Sequence, residues 1–98
     1  MKNVKSVWIS YDLQKDADYS HLYEWMQNHN AQECGNSIAF LKYEFESTME
    51  FEDALKDDIT TNIPEICRCY IIFRKDDEIY SRGRFIIGDR KDSPWKNN

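Results

Sequence analysis

The 98-residue chain is poor in glycine, with three, and in proline, with two. That scarcity excludes a collagen-like or low-complexity chain. Cysteine is sparse too: Cys34, Cys67 and Cys69, an odd number that does not suit a disulfide framework. No apolar run approaches the roughly 18 residues of a membrane helix. The opening MKNVKSVWISYDL turns polar too early for a signal peptide, so the expected setting is cytoplasmic, away from a membrane. The chain shows no glycine-rich phosphate loop, no H-E-x-x-H motif and no Ser/His/Asp order, which lowers the expectation of an enzyme. What it does have is apolar material. Hydrophobic residues make up 41% and aromatics 14%, enough for a packed core. The length suits a single domain over residues 1–98, with a polar tail from about residue 88.

Charge is uneven along the chain. The net charge is −5, and residues 1–67 carry five basic against thirteen acidic side chains. Residues 68–98 reverse the sign, with eight basic and five acidic. An acidic protein repels a phosphate backbone at long range, which disfavours broad nucleic-acid binding while leaving room for a local basic patch. Cys67 and Cys69 are two apart, so on a strand they share a face and read as small buried hydrophobes. His21 and His29 are eight apart and lack a paired cysteine, so they do not read as neighbouring metal ligands.

Periodicity gives the element order. Val4 to Leu13 alternates as a strand, with Val7, Ile9 and Tyr11 on one face and Trp8 and Ser10 on the other. Asp18 is placed to cap a helix whose stripe is Tyr19, Leu22, Tyr23 and Met26, flanked by Trp25. That helix should fade near Asn30. Ile38 to Phe45 is a second strand. Ser47 and Glu50 fit a capping box, and Phe51, Ala54, Leu55 and Ile59 form the buried stripe of a second helix that stops before Pro64. Ile66 to Lys75 and Glu78 to Ile87 form a hairpin about Asp76-Asp77, with Gly83 marking a bulge or a close approach. The expected architecture is therefore α+β: a ferredoxin-like sandwich, strand-helix-strand-helix-strand-strand, with two helices on one face of a four-stranded sheet.

The stretch from Val7 to Trp25 resembles the start of the small SinR-like family. The matching features are a first strand ending Tyr11-Asp12-Leu13, then Asp18-Tyr19-Ser20 opening a helix with Leu22 and Tyr23. That family is similar in turn to the ferredoxin-like subunit of CRISPR adaptation complexes, which includes metal-dependent nucleases. The resemblance implies a catalytic and metal-binding role for Asp12, holding magnesium at a two-fold cleft. A hard cation wants carboxylate oxygens, and a strand end at a two-fold axis supplies one from each chain. Read without the resemblance, Asp12 ends a strand or helps cap the helix.

If the helices cover Val7, Ile9, Leu41, Ile71 and Phe73, the open face is expected to carry Trp8, Phe40, Arg68, Tyr70, Ile72, Arg74, Tyr80 or its neighbours, Arg82, Arg84 and Ile86. An uncovered sheet face is normally polar, so rings mixed with arginines imply a partner. A homodimer is the simplest, since two-fold dimers are the commonest oligomers. A different protein partner or a single-stranded RNA stacked on the rings are the alternatives. Trp95, alone in the polar tail, is expected to be buried in an interface or against the sheet. These features suit three functions. The first is a non-catalytic assembly module pairing through this face and needing no cofactor. The second is a magnesium-dependent nuclease at Asp12. The third is an acidic inhibitor that offers its carboxylates to the basic groove of a nucleic-acid machine, in a defence or anti-defence setting.

Overall fold

Alternation in the first strand organises the sheet. The computed structural model describes residues 1–75 and 79–96. Strand β1 (Lys2–Leu13) buries Val7 and Ile9 and leaves Trp8 exposed between them. It lies in the middle of an antiparallel sheet that also contains β2 (Gln32–Glu33), β3 (Ile38–Glu46), β4 (Ile66–Arg74) and β5 (Ser81–Ile87). The spatial order is β2-β3-β1-β4-β5. Both β3 and β4 pair antiparallel with β1, so they run parallel to one another with β1 between them. Helix α2 (Phe51–Asn62) links them. Likewise β1 and β2 both pair antiparallel with β3, and helix α1 (Ser20–Asn28) lies between them in the chain. Two split β-α-β units thus interleave, and β5 extends the sheet at the β4 edge.

The sheet has five strands where four were expected. The added one, β2, has only two residues, both polar and exposed, too few to show any alternation. The hairpin turn expected at Asp76-Asp77, and Glu78 with it, lie outside the described residues. The returning strand begins at Ser81 instead.

Both helices lie on one sheet face, and their apolar stripes close the core. On α2 these are Phe51, Ala54, Leu55 and Ile59, as the spacing predicts. On α1 the buried pair is Leu22 and Trp25, with Met26 partly buried, whereas Tyr19 and Tyr23 of the expected stripe are exposed. Trp25 is therefore core rather than flank. These side chains meet Val7, Ile9, Leu41, Tyr43, Cys69, Ile71 and Phe73 from the sheet. Each fully buried Leu or Ile contributes about 1.5–3 kcal/mol relative to exposure.

Neither helix is capped by the residue expected: the N-cap of α1 is Tyr19, without a side-chain bond, and Asp18 stands one residue before it. Asp18 accepts hydrogen bonds from the Ser20 backbone N–H (3.0 Å) and Ser20 Oγ (2.7 Å), which lowers its carboxyl pKa. The capping box expected at Ser47 and Glu50 does not form. Ser47 to Met49 make a turn instead, with Ser47 N–H donating to the Met1 carbonyl and Met49 N–H to Glu46, and Glu50 takes the N-cap without a side-chain bond. Glu52 and Asp53 still place negative charge in the first turn, where the helix dipole favours it.

Two bulges reset the alternation in the last strands. Leu13 opposes Ile66 and Asp12 opposes Arg68, so Cys67 is the extra residue of a bulge. It is exposed, contrary to expectation, while Cys69 is buried as expected. Cys69 opposes Ile87 and Tyr70 opposes Phe85, leaving Ile86 as the extra residue in β5. Antiparallel partners share a face, and Phe73 opposes Arg82 while Ile71 opposes Arg84. Arg82, Arg84 and Ile86 therefore project to the helix side, not to the open face expected for them. Ile86 is buried there, and Arg84 reaches Glu52 of α2 at 3.0 Å.

Candidate functional site

The open face is built in rows across the strands. In the first row Phe40 opposes Trp8, Trp8 opposes Ile72, and Ile72 opposes Gly83. The Trp8 and Phe40 rings lie 4.8 Å apart. Trp8 remains 43% exposed and Ile72 41%, so this row is apolar surface in contact with water. In the second row Ile38, Ser10, Tyr70 and Phe85 oppose one another in turn. Tyr70 and Phe85 meet edge to face at 4.8 Å. The Tyr70 ring also lies over Gly83, where an added Cβ would strike its hydroxyl and ring carbons. Gly83 thus serves the close approach, one of the two roles expected of it.

The third row is charged. Asp12 opposes Arg68, and Arg68 donates from Nε (2.9 Å) and Nη2 (2.6 Å) to Oδ2 of Asp12. Both side chains are partly exposed, so the pair contributes little to stability, on the order of 1 kcal/mol or less. Its effect is positional: it holds the Arg68 guanidinium 5.6 Å from the centroid of the Phe85 ring. The Arg90 guanidinium lies 5.5 Å from the centroid of the same ring and 5.9 Å from that of Tyr70. Gly88, at φ +72°, turns the chain just after β5, and a Cβ there would sit 2.7 Å from the Cys67 carbonyl oxygen. Ser10, Asp12, Arg68, Tyr70, Phe85 and Arg90 line a shallow cleft of about 330 Å³.

The structure thus gathers Trp8, Phe40, Tyr70, Ile72 and Arg68 of the expected interface on one face, with Asp12 at its end. Arg82 and Arg84 stand on the opposite face. Trp95 is 74% exposed in the tail and does not pack on the sheet. Sequence reasoning does not single out Phe85 or Arg90. The odd parity of Phe85 against Tyr70 depends on pairing across the hairpin, and the only local signal for Arg90 is Gly88 two residues earlier.

Magnesium at Asp12 does not fit these surroundings within one chain. Its Oδ2 is taken by a guanidinium, and a second guanidinium lines the same cleft. Among the described residues no three His, Cys, Asp or Glu side chains form a metal-ligand group. The two histidines each meet a different carboxylate. His21 Nδ1 lies 2.9 Å from Glu65, which raises its pKa, and His29 Nε2 lies 3.5 Å from Asp58. Asp58 also accepts a hydrogen bond from the Tyr43 hydroxyl at 2.8 Å. Burial first, and then Asp58, push the Tyr43 phenol well above its ordinary range. Burial pushes the Cys69 thiol up to about 12, which keeps it an unreactive core group. No family model matches the chain, and no curated protein and no solved structure matches it.

Proposed function

We propose that the chain is a non-catalytic assembly module of the cytoplasm that pairs as a homodimer through the open face of its sheet. The observation that carries this reading is the row Phe40, Trp8 and Ile72, three large apolar side chains side by side on the face that no helix covers. Water-exposed apolar rows of this kind favour association, and a self-complementary patch closes with one two-fold axis. The frame we assign is ferredoxin-like with an added edge strand. The element order β-α-β-β-α-β before β5, and the interleaved split units, support it. The kinship with SinR-like proteins belongs to the same proposal and rests on residues 7–25. The acidic-inhibitor alternative has less support, because Glu52 is engaged by Arg84 and Asp58 by Tyr43 and Asn62.

Light scattering tests the reading. The native chain should have twice its 11.8 kDa mass, and Ile72→Glu should halve the observed mass while leaving the circular dichroism unchanged. A native monomer at about 100 μM would overturn it, since a standard-size interface holds well below that concentration. Magnesium-dependent cleavage of RNA or DNA, lost in Asp12→Asn, would replace it with the nuclease.

A further inference from the structure

The cleft at the end of the open face has more donors than acceptors. Asp12 is its one carboxylate, and it is bound to Arg68 through two of the three guanidinium nitrogens. Among the described residues Nη1 of Arg68 has no hydrogen bond, Arg90 has no carboxylate partner, and the Ser10 hydroxyl has no acceptor. All three line the same 330 Å³ space. Two guanidinium cations lie within 5.6 Å of the Phe85 ring centroid, and the cleft's one carboxylate is bound to one of them. Two like charges lining one cleft repel, and an anion held by both relieves that repulsion. The ring faces explain part of the arrangement through cation–π attraction, but they leave Nη1 of Arg68 and the donor edge of Arg90 without an acceptor among the described residues.

We propose that this cleft is a binding site for a phosphate group, with Arg90 and Arg68 as the two anion-binding residues, Ser10 as a third donor, and Asp12 as the residue that orients Arg68. A guanidinium fork matches the oxygens of a phosphate in two parallel bonds, and two forks match a dianion better than a single carboxylate. The surrounding chain is acidic, so the site selects a compact anionic group rather than a long run of backbone phosphates. The cleft begins one row along the open face from the apolar row Phe40, Trp8 and Ile72.

The test follows the arginine Nε–H signals of Arg68 and Arg90 by NMR during titration. The probes are inorganic phosphate, a 5′-phosphorylated single-stranded oligonucleotide, and the same oligonucleotide without its phosphate. Saturable shifts of both signals at or below about 10 mM phosphate are expected. Arg90→Gln should weaken that binding about tenfold or more. Lys15→Gln, the same loss of charge at an exposed site outside the cleft, should leave it unchanged. Tighter binding of the phosphorylated strand than of free phosphate, with no binding of the unphosphorylated one, assigns the phosphate to a nucleotide end. Equal binding of the two phosphate-bearing probes assigns it to the free ion. No saturable shift, or equal weakening by Arg90→Gln and Lys15→Gln, overturns the proposal. So does an Arg90→Gln variant that binds phosphate normally but loses dimer mass, because the missing acceptor is then a carboxylate of a second copy.

Discussion

Ile71 and Ile72 are neighbours in the chain and lie in different media. Ile71 is fully buried under the helices, whereas Ile72 is 41% exposed on the open face. The same contrast runs through the sheet. Among the described residues the buried side chains of the covered face are aliphatic and aromatic, and its charges, such as Arg84 with Glu52, stay at the margin. The open face mixes Trp8, Phe40 and Ile72 with an Asp12–Arg68 pair and with Arg90 over Phe85. The covered face is what folding requires. The open face is not, since a sheet of this kind folds with polar residues outside. Apolar surface retained where folding does not ask for it is the ground of the proposed interface.

The comparison breaks most directly at its two isoleucines. Ile71→Ala should cost about 2–5 kcal/mol in urea unfolding, the range for a buried large-to-small change. Ile72→Ala should cost less than about 1 kcal/mol in dilute protein. Any further cost that grows with protein concentration belongs to association rather than to the fold. Equal costs for the two would mean that the faces are not distinct.

A smaller effect comes from within the open face. Gly83→Ala places a methyl group against the Tyr70 hydroxyl and ring, which are pinned by the edge contact with Phe85. The expected loss is about 1–3 kcal/mol. In a Tyr70→Ala background the same change should become neutral or stabilising, because alanine loses less backbone freedom than glycine. An unchanged cost in that background would show that the Tyr70 ring does not rest on β5.

The covered face was readable because burial imposes period. Val7 and Ile9, Ile71 and Phe73, and the α2 stripe of Phe51, Ala54, Leu55 and Ile59 all fall where alternation or helical spacing puts them. The errors cluster where period carries no information. The two polar residues of β2 gain their strand character only from pairing with Phe40 and Ala39. Cys67 and Ile86 are extra residues in bulges, and each shifts the alternation of its strand by one position. The facing of Arg82 and Arg84 depends on register across a hairpin, which a single strand does not encode. On the open face Trp8, Phe40, Tyr70 and Ile72 were legible from alternation alone, while Arg90 joins them only through the turn at Gly88.

The smallest effect separates the faces by pH. The chain has two histidines, and both lie with the helical layer, against Glu65 and Asp58. Histidine is the side chain whose ordinary titration falls in the neutral range, so the open face has no such group of its own. The hydrogen bond to Glu65, and then the Glu65 charge, raise the folded-state pKa of His21 above 6.5. The protonated form is therefore favoured by folding. Its contribution is fully present below 6.5 and is lost as the pH rises through the raised folded value. The site is open to solvent, so the change is small. The urea midpoint should fall slightly between about pH 5.5 and about pH 8.5, and His21→Asn should flatten that slope. NMR titration of the His21 ring should give a midpoint above 6.5, and Glu65→Gln should bring it down. Over the same range the mass in solution should not change, because neither histidine lies on the proposed interface. A dimer that dissociates along the His21 titration would place the interface on the helices and reverse the assignment of the two faces.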